Sequence, residues 1–154
     1  MDKIAVFPGS FDPFTKGHES IIKKAIPLFD KIVVAIGYNS EKKMGYFPIE
    51  KRIKWIKEVF ANEQKISVEK YNCLTVDFCK KINAKYIIRG LRNITDFEYE
   101  KTIAQTNLTI NPDIETVLFF TNPEFSTINS TIIRDIIKFG GNVSKFIPKE
   151  IDLN

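Results

Sequence analysis

The chain of 154 residues is long enough to bury a substantial core as one domain, 1–154, and its two cysteines, Cys73 and Cys79, form neither a disulfide framework nor a zinc spacing. No run approaches the roughly 18 apolar residues that span a bilayer, and Met1-Asp2-Lys3 opens without a basic leader, so a soluble, cytoplasmic protein with no membrane partner is expected. The net charge is +4, but the lysines fall as scattered pairs, Lys23-Lys24, Lys42-Lys43 and Lys80-Lys81, which argues against a nucleic-acid tract.

In chain order, Ile4 to Phe7 is an apolar run of the kind that forms a buried strand. The loop Pro8-Gly9-Ser10-Phe11-Asp12-Pro13 follows, then Thr15-Lys16-Gly17-His18 opens a helix predicted over 18–26. Gly9 lacks the G-x-G-x-x-G spacing and no G-x-x-x-x-G-K-[ST] occurs, which disfavours a nicotinamide enzyme and a P-loop ATPase. Ser10 offers a hydroxyl, and Gly17 leaves a ligand room at the backbone. His18, the only histidine, falls in the first helical turn, where free N–H groups attract anions.

Ile32 to Gly37 is the second strand, and its loop carries Lys42. A helix over 48–60 has Pro48 at its first position and Ile49, Ile53, Ile56 and Phe60 in one apolar stripe. Ile66 to Val68 is the third strand, followed by a helix over 74–83. The fourth, Tyr86 to Ile88, runs into Arg89-Gly90-Leu91-Arg92, two guanidinium forks around an open glycine. After a helix over 95–108 and the strand Thr116 to Phe120, the hydroxyl-rich turn Phe125-Ser126-Thr127-Ile128-Asn129-Ser130-Thr131 leads into a helix over 130–139 that ends at Gly140-Gly141.

This alternation predicts an α/β fold, a single-domain doubly wound five-stranded parallel sheet with right-handed crossovers. Ligands of such sheets bind beyond the carboxyl ends of the strands, in the loops after Phe7, Gly37, Ile88 and Phe120. His18, Lys42, Arg89, Arg92 and the 125–131 turn converge there on a pocket for a polyphosphate and a further phosphate. No nucleophile and base pair for covalent catalysis accompanies them. A positive field attracts small phosphorylated substrates, although charge alone does not choose between nucleotide and nucleic acid.

Pro8-Gly9-Ser10-Phe11-Asp12-Pro13, Thr15-Lys16-Gly17-His18, Arg89-Gly90-Leu91-Arg92 with Asp96-Phe97-Glu98-Tyr99-Glu100, and Ser126 to Thr131 resemble the bacterial phosphopantetheine adenylyltransferases, nucleotidyltransferases of the H-x-G-H type, from Lys3 to about Pro148. The resemblance implies a Rossmann-like nucleotidyltransferase fold and the reaction of ATP with 4′-phosphopantetheine to give dephospho-coenzyme A and pyrophosphate. It implies that His18 binds ATP and stabilises the transition state. Ser10, Lys42, Thr75 and Arg89 would hold phosphopantetheine. Ser10, Phe11, Gly90, Leu91, Arg92, Glu100, Phe125, Ser126, Thr127, Ile128, Asn129, Ser130 and Thr131 would bind ATP. Magnesium without a protein ligand, a homohexamer, and no nucleic-acid partner are also implied.

Ser10 stands where the family usually has Thr, Asn129 replaces a usual serine, and Thr15 takes the place of the first histidine, as is typical of this subfamily. The segment around Cys73, on which the Thr75 assignment rests, aligns with a one-residue shift. An attacking phosphate is already anionic near neutral pH, so in-line displacement at the α-phosphorus needs positioning and charge stabilisation rather than a strong base. The Arg89 to Arg92 segment disfavours a sister enzyme acting on nicotinamide mononucleotide or a sugar phosphate. A nucleotide-sensing module would bind ATP without releasing pyrophosphate.

Overall fold

All five apolar runs form strands, and hydrogen bonding between parallel neighbours carries three of them further than their apolar cores suggest. The computed structural model describes residues 1–41 and 45–154. Its elements are β1 (Ile4–Gly9), α1 (Lys16–Ala25), β2 (Lys31–Gly37), α2 (Ile49–Val59), β3 (Ile66–Tyr71), α3 (Thr75–Lys81), β4 (Tyr86–Leu91), α4 (Ile94–Ile110), β5 (Glu115–Phe120) and α5 (Ser130–Lys138). Single 3₁₀ turns lie at Ile26–Leu28 and Pro123–Phe125. The expected ends at Phe7, Val68 and Ile88 are corrected to Gly9, Tyr71 and Leu91. The partners Gly9 with Ile36, Gly37 with Tyr71, and Leu91 with Phe120 extend the ladders through polar residues. Arg89 and Gly90 therefore belong to a strand, which fixes their backbone far better than a loop would.

The strand order is β3-β2-β1-β4-β5, all parallel. Chain direction across the sheet reverses between β1 and β4, and the crevice at their carboxyl ends is where such sheets take ligands. Alternation sends Ala5, Phe7, Ile32, Val34, Ile36 and Ile88 into the core shared with Ile22, Ile56 and Ile133 of α1, α2 and α5. Val6, Val33, Ala35 and Ile87 pack on the other face against Val76, Phe78 and Cys79 of α3. Each fully buried Val or Ile contributes roughly 1.5–3 kcal/mol. Burial pushes the Cys79 thiol up to about 12, which makes it an unreactive packing group.

Helix ends follow local chemistry. Pro48 precedes the first helical residue rather than being it, and on α2 Arg52 is buried together with Trp55 and Ile56. The final helix stops in a Schellman arrangement: Gly140 at φ +74° donates to Ile137 O at 3.0 Å, and Gly141 donates to Ile136 O at 2.9 Å. On α4 only Glu100 is buried, whereas Ile94, Phe97 and Tyr99 lie exposed.

Candidate active site

The site begins where β1 ends. Thr15 caps α1 in extended backbone, and His18 is the third residue of the helix. His18 N–H donates to Thr15 Oγ1 at 3.3 Å, and Thr15 N–H donates back to His18 Nδ1 at 3.0 Å. The imidazole thus occupies the place that Glu or Gln takes in an ordinary capping box. Phe11 meets it edge-on at 5.0 Å between ring centroids, and Phe14 packs at 5.3 Å. Burial, then the positive charges of Arg89 and Arg92, lower the His18 pKa from its ordinary 6.5 to about 3, so the ring is neutral at physiological pH.

Phe11 sits in the left-handed region at φ +47°, which is uncommon for a bulky residue and is the kind of strain that gathers at functional sites. Its ring lies directly over Gly9: a Cβ there would come within 3.0 Å of the Phe11 ring. Gly9 is therefore needed for close approach, and Phe11 in turn backs the histidine.

Two arginines line the same cleft from β4 and its exit. Arg89 Nε and Nη2 donate to Glu100 Oε2 and Oε1 at 2.9 and 2.6 Å, and Nη1 donates to Pro8 O at 2.7 Å. Three of the five guanidinium N–H groups are engaged, leaving one on each terminal nitrogen. Arg92 Nε donates to Asp96 Oδ2 at 3.0 Å, and Nη1 to Ile128 O at 3.1 Å. Burial would raise the Asp96 pKa, but hydrogen bonds from the Arg92 side chain and backbone outweigh it, and the carboxyl is held below its usual range.

The 125–131 turn divides its residues between capping, tethering and lining. Asn129 caps α5, with Oδ1 accepting from Ile132 N–H at 2.8 Å. Ser130 Oγ donates to Pro13 O at 2.9 Å, so this hydroxyl fastens α5 to the β1 loop. The first two N–H groups of the helix, on Ser130 and Thr131, have no intrahelical acceptor and remain for an anion. Phe125, Ile128, Asn129 and Ser130 line the cleft. Ser126 Oγ turns to Pro123 O, Thr131 Oγ1 accepts from Arg134, and Thr127 is exposed.

The cleft measures about 280 Å³ and brings together Ser10, Phe11, His18, Arg89, Gly90 and Arg92. Leu91 has a buried side chain and could meet a ligand only through its backbone. Glu100 lines the cleft as well, but its carboxylate grips Arg89. Lys42 lies outside the described residues. A second cavity of about 180 Å³ shares Pro8, Gly9, Arg89 and Glu100 with the first, and extends along Thr75, Ile87, Ile103, Ala104 and Asn107. Thr75 opens α3, and its hydroxyl is 2.9 Å from Tyr71 Oη.

Sequence reasoning missed the scaffold under the β1 loop. Buried Asp12 accepts from Tyr46 N–H at 2.7 Å and Phe47 N–H at 2.9 Å. Arg52 donates to Ser10 O at 2.7 Å and Phe47 O at 3.0 Å, and Arg134 donates to Asp12 O at 2.7 Å. One signal was available: Arg52 falls on the same helical face as Ile49, Ile53 and Ile56, where an ordinary surface arginine does not belong. Among the described residues, no cluster of three or more His, Cys, Asp or Glu side chains forms a metal site, and no helix is long and apolar enough to cross a membrane.

The fold is shared with the bifunctional NMN adenylyltransferase/ADP ribose pyrophosphatase of Francisella tularensis, at a TM-score of 0.73 and 20% identity, over 96% of this chain and 45% of that one. A cytidylyltransferase-like family model matches residues 6–136. Similarity at the level of sequence is much closer. The phosphopantetheine adenylyltransferase of Flavobacterium psychrophilum is 51% identical over 96% of each chain. That of Cytophaga hutchinsonii is 49% identical over 98% of this chain and 100% of its own. That of Bacteroides fragilis is 46% identical over 97% of this chain and 98% of its own. Identity of this order along nearly the whole of both chains, with the family model matched over residues 6–136, means that the protein belongs to the phosphopantetheine adenylyltransferase family of cytidylyltransferase-like proteins.

Proposed function

We propose that the chain transfers the adenylyl group of ATP to 4′-phosphopantetheine by direct in-line attack, with no covalent enzyme intermediate, yielding dephospho-coenzyme A and pyrophosphate. The enzyme is a nucleotidyltransferase of coenzyme A biosynthesis. The observation that carries the substrate assignment is the near-full-length identity to phosphopantetheine adenylyltransferases. What supports the mechanism is a surplus of anion donors in the cleft, where the one hydroxyl beside the imidazole, Thr15 Oγ1, is buried and occupied in capping α1.

In this reading a phosphate oxygen of phosphopantetheine bonds to the α-phosphorus while the bond to the pyrophosphate oxygen breaks. Neutral His18 donates a hydrogen bond to an α-phosphate oxygen as charge rearranges. The two free N–H groups of Arg89, with Lys42, hold the phosphate of phosphopantetheine, and Ser10 adds its hydroxyl between the two substrates. Arg92 and the first N–H groups of α5 receive the β- and γ-phosphates. The adjoining cavity, apolar at Ile87, Ile103 and Ala104 and polar at Thr75 and Asn107, suits the amide-bearing arm of phosphopantetheine.

Magnesium fits this site as a partner of ATP rather than of the protein. The cleft's carboxylates, Asp96 and Glu100, are each engaged by an arginine, so phosphate oxygens and water are the available ligands. When bound, the ion would neutralise phosphate charge. The uncovered Ile94, Phe97 and Tyr99 of α4 suit burial between copies in a homohexamer, and the cytoplasm, which supplies ATP, suits the reaction.

Pyrophosphate release tests the reading. ATP with phosphopantetheine should give it, whereas ATP with nicotinamide mononucleotide should not. Turnover with the mononucleotide alone would assign a sister activity.

A further inference from the structure

We infer that Thr15 is a positioning residue that fixes His18 in the tautomer bearing its proton on Nε2, and thereby sets the rate of adenylyl transfer; this rests on the reading above that His18 donates to the α-phosphate. Two contacts carry the inference. The main-chain N–H of Thr15 can only donate, and it meets His18 Nδ1 at 3.0 Å, so that nitrogen must present its lone pair. The Thr15 hydroxyl lies 3.2 Å from the same nitrogen, and its oxygen accepts from His18 N–H at 3.3 Å, which leaves its own proton to point at Nδ1. A neutral imidazole has one ring proton, and it is therefore on Nε2.

The arrangement makes helix initiation and ring orientation one event. Without the Thr15 hydroxyl, α1 would lose an acceptor for its third N–H, and Nδ1 would keep only the main-chain donor of the two that hold it. Phe11 and Phe14 fix the ring plane from two sides. Arg89 and Arg92 face the ring from β4 and its exit, with Asp96 and Glu100 of α4 paired to them. On α1 itself Glu19 is paired to Lys23, and no charged side chain of α5 lines the cleft among the described residues. With Nδ1 already receiving hydrogen bonds and two guanidinium charges nearby, a second proton is disfavoured. His18 then acts as a donor throughout, and no proton passes through it as the bond to phosphorus forms and pyrophosphate leaves.

Because the chain has one histidine, ¹⁵N-labelled histidine reports on this ring alone. The wild-type spectrum should show protonated Nε2 and bare Nδ1, unchanged between about pH 5 and pH 8, where a free imidazole would titrate. Thr15→Val keeps the main-chain donor but loses the hydroxyl and the helix cap that hold the ring against it, so it should move the ring signals partway toward the average of the two tautomers and lower kcat by about ten- to a hundredfold, with little change in the KM for ATP. Thr15→Ser should restore both. A wild-type proton on Nδ1, or a folded Thr15→Val with unaltered ring signals, overturns the proposal. So does a slow His18→Ala beside a Thr15→Val of wild-type kcat, whereas a His18→Ala of wild-type kcat overturns the underlying role of His18. Should Thr15→Val fail to fold, Thr15→Ala carries the same comparison, and the wild-type spectrum decides the tautomer without any variant.

Discussion

Arg89 and Glu100 form a two-pronged ion pair, at 2.9 and 2.6 Å, on the wall that the cleft and the second cavity share. Glu100 is buried, and the third contact of Arg89, to Pro8 O, ties β4 to β1 at the switch point. The carboxylate therefore aims the two remaining N–H groups of the guanidinium. Glu100→Gln should raise the KM for phosphopantetheine by roughly tenfold and lower stability by about 1–3 kcal/mol. Steady-state kinetics against phosphopantetheine, beside urea unfolding, checks this. An altered KM for ATP alone would place Glu100 on the nucleotide side instead.

His18→Ala should lower kcat by on the order of 10²–10³ while leaving much of the ATP affinity, as expected for loss of one transition-state donor. Single-turnover pyrophosphate release, with ATP binding measured separately, distinguishes the two effects.

The same histidine predicts a pH effect on stability. Its native pKa of about 3 lies below its ordinary 6.5, so the unfolded chain takes up a proton that the native state refuses. The site's contribution is complete above about pH 6.5 and is lost as pH falls toward about 3. Between about pH 6.5 and 4.5, where most carboxylates remain ionised, wild-type stability should fall more steeply than that of His18→Gln. Parallel slopes would mean that the ring protonates freely in the folded protein.

At the start of α5, Asn129 and Ser130 should respond differently to alanine. Asn129→Ala removes the helix cap and should cost about 0.5–2 kcal/mol. Ser130→Ala removes the tether to Pro13 O but spares the main-chain N–H groups. Both variants should keep the preference for ATP over AMP if, as proposed, those N–H groups receive the outer phosphates. Calorimetry with the two nucleotides checks this, and loss of the preference in Ser130→Ala would shift the phosphate contact to the hydroxyl.

Asp12→Ala should be among the more damaging changes outside the apolar core, at about 2–4 kcal/mol, because it strips the acceptor from Tyr46 and Phe47 N–H and leaves Arg52 buried without its nearby anion. Thermal unfolding measures the loss. A midpoint within a degree or two of wild type would show that the loop is held by Arg52 and Arg134 alone.

By itself, the sequence determined the elements and the edge of the sheet where the cleft lies. Apolar runs of three to six residues alternating with helical stripes allow few arrangements, and Gly17, His18, Arg89 and Arg92 follow or end strands whose carboxyl ends any such sheet brings together. Side-chain partners were decided by tertiary structure. Nothing local pairs Arg89 with Glu100, nearly two turns into the next helix, or sets Ser130 against Pro13, more than a hundred residues earlier. The pairing of Arg52 with the β1 loop, and of Asp12 with Tyr46 and Phe47 N–H, exists only once α2 packs beneath that loop. The polar side chains of the last turn look alike in sequence, and only the path of the chain separates the Asn129 cap from the Ser130 tether and from the unpaired N–H groups at the start of α5. His18 joins the two levels: its spacing from Thr15, Phe11 and Phe14 is local, whereas the burial that keeps it neutral and the arginines of β4 and its exit come only with the folded core.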